Sequence, residues 1–185
     1  MIFKNTKEVA LLTVSYLRKA TVQNIPAVSK IIDSAKDFLK AQGIDQWQDG
    51  YPAQSDLETD VKNQINYVLI VNGQIAGTAA LANHDANYDV ITGGNWQGPA
   101  NAKYTAIHRI AMSPDFRGQH LSEKMISGLF TLSNQLGYQQ VRIDTHPDNK
   151  LMQHLITKSG FVYCGKVLMD KDPNEVRLAY QFFLS

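Results

Sequence analysis

The sequence predicts an α/β fold: a single-domain mixed, mostly antiparallel sheet with helices on both faces. Three observations carry this. Asn72-Gly73 separates two apolar, β-prone runs, Tyr67 to Val71 and Gln74 to Leu81, and both central residues of a type I′ hairpin turn need positive φ. Tyr104 to Met112 reads as a strand that passes through a polar turn into a helix with Leu121, Met125, Leu129, Leu132 and Leu136 three or four apart. Strands and helices alternate after that, which mixes strand directions within one sheet.

The elements follow in order. Residues 1–15 read as an N-terminal extension, and residues 16–185 as the domain. Tyr16 to Ala20 is a short strand, and Asn24 with Pro26 starts a helix whose apolar stripe is Val28, Ile31, Ile32, Ala35 and Leu39, ending at Gly43. A second helix runs from about Ser55 to Ile65. After the hairpin, Asn83 to Lys103 has little periodicity and reads as a long loop, the kind that is often functional. The long helix begins at about Gly118 and stops at Gly137. Gln140 to Asp144 is a strand, Asp148 is positioned to cap a helix ending at Gly160, and Phe161 to Leu168 and Val176 to Leu184 are the final strands.

Composition narrows the function. A chain of 185 residues, 44% hydrophobic, supports one core. Its net charge of +1 gives no general attraction to nucleic acid or an anionic membrane, so a small-molecule partner is favoured. Cys164 is the single cysteine, which excludes an intrachain disulfide, and it reads as a small core residue. The apolar run Val9 to Val14 is too short for a signal peptide and is followed by Arg18 and Lys19 rather than a cleavage site. No stretch approaches the ~20 apolar residues of a membrane span, and a cytoplasmic location is expected. The five histidines show no zinc spacing, so no metal is expected.

The chemistry concentrates where Ile110, Ala111 and Met112 end a strand and Arg117, Gly118, Gln119, His120, Leu121 and Ser122 lead into the long helix. Such a junction gathers unsatisfied backbone N–H groups at the positive end of a helix dipole, a ready site for a pyrophosphate. Arg117 adds a charge-assisted contact.

This segment resembles the acetyl-CoA motif of the GNAT acetyltransferase superfamily: Arg or Gln, two residues, Gly, one residue, then Gly or Ala. The match begins at Arg117. His120 stands where the family has its central Gly, and Ser122 where it has Gly or Ala. A second likeness is Asn149 followed by Leu155 to Phe161, similar to the family's Asn-containing helix ending in Leu-Tyr-Glu-Lys-x-Gly-Phe. A third, to a bacterial subgroup, falls on Gln46, Trp47, Gly50, Tyr51 and Pro52.

The resemblance implies direct acyl transfer from acetyl-CoA to an amine. Pantetheine would pair as a false strand with Ile110, Ala111 and Met112, where their strand splays from its neighbour, and Asn149 would contact its arm. His108 matches in position a histidine of arylalkylamine N-acetyltransferases and suits a general base. Two-residue alternation predicts His108, Ile110 and Met112 on one face of the strand. The family's general-acid tyrosine falls on Ile156, which cannot donate a proton.

Aromatic side chains on loops beside an apolar cleft suit a hydrophobic or cationic amine, and Trp47, Tyr51, Tyr88 and Trp96 are the candidates for acceptor binding. The acceptor is a small-molecule or protein amine. Transfer of another acyl group, or a non-catalytic acyl-CoA-binding regulator, are the competing readings. Late strands at a sheet edge allow a homodimer.

Overall fold

The computed structural model describes residues 14–99 and 101–184. Residues 1–13 of the expected extension lie outside the described residues. The chain folds as β1 (Ser15–Lys19), α1 (Ile25–Ala41), α2 (Gln54–Lys62), β2 (Asn66–Val71), β3 (Gln74–Ala82), β4 (Tyr104–Met112), α3 (Leu121–Gln135), β5 (Gln140–Thr145), α4 (Lys150–Lys158), β6 (Val162–Leu168) and β7 (Val176–Phe183). The strands form one seven-stranded sheet in the order β1-β2-β3-β4-β5-β7-β6. Only β4 and β5 pair in parallel, and α3 connects them.

Asn72 and Gly73 turn the β2–β3 hairpin at φ values of 48° and 83°, as a type I′ turn requires. All six residues of β2 are buried, because both faces of the sheet are covered there. On one face Val68, Ile70 and Ala111 pack with Val28, Ile31 and Ile32 of α1 and Leu57 and Val61 of α2. On the other, Leu69, Ile107, Val141 and Ile143 pack with Met125, Ile126 and Leu129 of α3 and with Ile156 of α4.

Among the described residues no α-helix contributes to the apolar cluster over β6 and β7 on the α1 face. The connection between β3 and β4 does so instead. Tyr88 joins Tyr104, Ala106, Val167 and Ala179 in a third apolar cluster, with Trp96 packed against it. The predicted long loop is therefore tightly attached: it holds a 3₁₀ turn at Ala86–Tyr88 and a bridge from Thr92 to Lys166.

Several boundaries differ from the sequence reading for local reasons. The second helix stops at Lys62 instead of Ile65, since Gln64 takes φ 58°. α3 begins at Leu121 instead of Gly118, because Gly118 and His120 both have positive φ. Leu136 falls beyond its end and is exposed. α4 is capped by Asn149, not Asp148: the Asn149 amide oxygen accepts from Met152 N at 3.0 Å. Of the two late strands, β6 alone lies at the edge, with β7 inside the sheet.

Candidate active site

β4 and β5 part company midway. Their pairing runs from Tyr104–Gln140 to Ile107–Ile143 and ends there, although β4 continues to Met112 and β5 to Thr145. The β5 side of Ile110, Ala111 and Met112 is therefore left without a strand partner. A cleft of about 1100 Å³ opens at the split. It is lined by these three residues, by Arg117, Gly118, His120, Leu121 and Ser122, and by Asn149 at the start of α4. Gln119 is exposed and does not line it.

The turn before α3 is built for open backbone. Ser113 Oγ accepts from Asp115 N and starts a 3₁₀ turn over Pro114–Phe116. Gly118 then takes φ 81° with nothing within 4 Å of where a Cβ would stand. His120 follows in the left-handed region, at φ 53° and ψ 29°, with its side chain 81% exposed. The backbone explains why glycine suits this position: it costs an L-residue about 1–2 kcal/mol to sit there. The imidazole lies beside the Glu123 carboxylate, its Nδ1 3.6 Å from Oε1. The Arg117 guanidinium lies 5.3 Å from the Phe38 ring centre, beside the turn that precedes α3.

β4 carries a bulge that reorders its faces. Thr78 pairs with Ala111 and Ala80 with His108, so three residues of β4 advance against two of β3, and Arg109 sits at φ 49°. The predicted grouping of His108 with Ile110 and Met112 is thereby overturned. Ile107, Ile110 and Met112 pack on the α3 face, while His108 and Arg109 both project to the α1 face. Simple alternation fails because the extra residue resets the count.

On that face Arg109 makes a bidentate ion pair with Asp60 of α2, at 2.7 Å for both bonds, and donates to the Tyr51 hydroxyl. The sequence reading passed over Asp60. Its signal was a carboxylate inside the apolar stripe Leu57-Asp60-Val61, which demands a cation.

His108 has acidic company. Its Nε2 is 3.1 Å from Asp85 Oδ2, and its ring centre is 5.8 Å from that of Tyr88. Tyr88 donates at 2.6 Å to Asp144 Oδ1. Asp85 is held by an Asx turn, its Oδ1 accepting from Asn87 N at 2.8 Å. Burial pushes the His108 pKa below the usual imidazole value, and the Asp144 and Asp85 carboxylates oppose that fall. Burial likewise pushes the Asp144 carboxyl up, against the pull of His108 and the Tyr88 hydrogen bond. The net direction for the imidazole is downward, which favours its neutral form beside the carboxyl groups of Asp85 and Asp144.

The four aromatic candidates separate into two pairs. Trp47 and Tyr51, from the loop between α1 and α2, line the cleft. Tyr88 and Trp96 do not, which corrects their expected place: Tyr88 is 1% exposed, and Trp96 donates to its carbonyl while covering one side of the Arg142 guanidinium, 4.2 Å from the ring centre. They fasten the loop to the sheet. Asn149 lies at the cleft, but both ends of its amide are engaged, one with Met152 N and the other donating to Gln46 Oε1 at 3.0 Å. That last bond ties the Trp47 loop to α4. Among the described residues no group of three His, Cys, Asp or Glu side chains has metal-site geometry, and no helix is long and apolar enough to cross a membrane.

The class of protein is a transferase, as its similarity to known families shows. The profile of the acetyltransferase (GNAT) family matches residues 31–161, and the chain belongs to that family. A GNAT family acetyltransferase from Streptococcus agalactiae is 36% identical, with a TM-score of 0.83 over 92% of this chain and 96% of that one. A GNAT family acetyltransferase from Listeria monocytogenes shares the fold at 22% identity, TM-score 0.70, over 92% and 95% of the two chains. The ribosomal-protein-S18-alanine N-acetyltransferase of Escherichia coli shares it at 14% identity, TM-score 0.62, over 93% and 95%. No curated protein matches the sequence.

Proposed function

We propose that the protein transfers an acetyl group from acetyl-CoA to a primary amine by direct attack, with residues 16–185 as the catalytic domain and a cytoplasmic site of action. The observation that carries this reading is the continuity of one cleft from the unpaired edge of β4 to the amides at the start of α3. Acetyl-CoA fits that path in order: pyrophosphate on the backbone of residues 118–122 with Arg117, pantetheine along Ile110, Ala111 and Met112, and the thioester at the split. No metal is required by such a cradle.

The amine must arrive neutral or lose its proton on attack. His108 stands in the same cleft, its neutral form favoured by burial, and accepts that proton, while Asp85 and Asp144 stabilise the imidazolium formed. Trp47 and Tyr51 flank the approach of the acceptor, and the Arg109 contact fixes the Tyr51 hydroxyl.

Mixing the protein with acetyl-CoA and a panel of primary amines, and following release of the coenzyme A thiol, tests the reading. Thiol release that depends on both amine and enzyme is expected. Binding of acetyl-CoA without release for any amine would instead define a non-catalytic acyl-CoA binder, and faster release from a longer thioester would reassign the acyl group.

A further inference from the structure

Thr145 ends β5 and is fully buried, yet its Oγ1 has no hydrogen-bond partner among the described residues. Three other side-chain atoms share that condition: Asn66 Nδ2, Arg142 Nε and Ser159 Oγ. None of those three residues lines the cleft, whereas Thr145 does. An unmatched buried hydroxyl costs roughly the free energy of a hydrogen bond, so a fold that keeps one at a ligand cleft has a use for it.

Its position says what the use is. Ile143 is the last β5 residue paired with β4, and Thr145 stands two residues beyond it, where the strands have separated. Alternation places Thr145 on the face of Ile143, which packs with α3 and with Ile156 of α4. Asp144 and His108 occupy the opposite face. From α4, Leu151, Met152 and Leu155 reach the cleft and offer no donor, and the Asn149 amide is already engaged. Among the described residues, Thr145 offers a buried, uncommitted donor beside the split.

We propose that the Thr145 hydroxyl donates a hydrogen bond to the sulfur of coenzyme A and stabilises the departing thiolate. The inference rests on the acyl-CoA reading above. In the reaction the amine nitrogen bonds to the thioester carbon, the carbon–sulfur bond breaks with its electron pair on sulfur, and the amine proton passes to His108. Thr145 keeps its own proton and supplies only the hydrogen bond; solvent protonates the thiolate on release. Base and sulfur donor thus act from opposite faces of the sheet.

Titration calorimetry of coenzyme A and of desulfo-coenzyme A, which lacks the sulfur, tests this without turnover. Wild type, Thr145→Val and Thr145→Ser are compared at about pH 7 and about pH 9.5, either side of an ordinary thiol pKa near 8.5. Asp85, His108, Arg109, Asp144, Glu175 and Arg177 bound the same cleft and are present in all three proteins, so the difference between variants isolates the hydroxyl. At the higher pH, Thr145→Val is expected to bind coenzyme A about tenfold more weakly than wild type, as for one charge-assisted hydrogen bond, with a smaller gap at pH 7. Desulfo-coenzyme A should bind all three equally, and Thr145→Ser should follow wild type. Equal coenzyme A affinity for Thr145→Val and wild type at both pH values overturns the proposal. Failure of wild type to bind either compound overturns the acyl-CoA reading itself, a separate result.

Discussion

In the proposed reaction His108 accepts the amine proton, and its surroundings make two measurable demands. Replacing it with Gln preserves size and some hydrogen bonding but removes the titrating nitrogen, so turnover should fall about a hundredfold while acetyl-CoA affinity holds. Steady-state kinetics with calorimetry checks both halves; equal turnover would return His108 to a structural role. Asp144 raises the His108 pKa and burial lowers it. Asp144→Asn removes the attraction, so the imidazole should titrate at lower pH and the acidic limb of kcat/KM should move down with it. An NMR titration of the ring protons reads the shift directly, and an upward movement would contradict it. The sign for stability follows: a histidine held neutral by the fold takes up protons more readily when unfolded, so stability falls as pH drops below the ordinary value of 6.5. His120 makes a different demand. Its φ of 53° favours glycine, so His120→Gly should raise stability by about 1 kcal/mol, or roughly 2–4 °C in a chain of this size. The same change should tighten acetyl-CoA by removing the Cβ beside the pyrophosphate amides; clearly weaker binding in calorimetry would show that the ring itself contacts phosphate.

At the scale of elements, the bulge in β4 is the main joint between scaffold and site. It turns Arg109 to Asp60 on α2 and to Tyr51 on the preceding loop, so one residue fixes strand, helix and cleft wall together. The carboxylate is 6% exposed and the guanidinium 14%. Arg109→Met strands a buried carboxylate and should cost about 3–5 kcal/mol, much of it recovered in the double variant with Asp60→Leu. Urea unfolding of the four proteins measures the coupling, and additive losses would deny it. The bulge also marks where sequence reading stops. Element order was legible because periods of 2 and 3.6 persist over whole elements, as in the α1 stripe and the Asn72-Gly73 hairpin. An inserted residue has no periodic signature, so the face of His108 was misread. That Arg117, Gly118, His120, Leu121, Ser122 and Asn149 lie at one cleft was legible because motif spacing is local, while Gln119 does not line it. Asp85, Asp144 and Thr145 were not, since they meet His108 or the split only through sheet pairing and a loop of low periodicity. Tyr88 and Trp96 share their composition with binding aromatics, and only packing distinguishes a fastener from a contact.

For the whole molecule, ligand binding and folding are linked. Acetyl-CoA at one hundred times its dissociation constant should add about 2.7 kcal/mol, seen as a rise in melting temperature that is the same with and without EDTA. No shift at millimolar acetyl-CoA would remove the phosphate-loop assignment. A homodimer through β6 is confined by the loop, since Thr92 already takes both backbone bonds of Lys166. The exposed Val162 and Tyr163 remain available, and sedimentation of Tyr163→Glu against wild type tests them. The sheet order has one more consequence. Among the described strands β6 has β7 as its one neighbour, and β7 also supplies the outer partner of β5. On a ribosome, the strands are made in numerical order, so β5 and β6 emerge before the strand that joins them. The half of the sheet that carries Asp144 and Thr145 closes only after residues 176–183 have cleared the exit tunnel, so β7 is the last strand the cleft waits for.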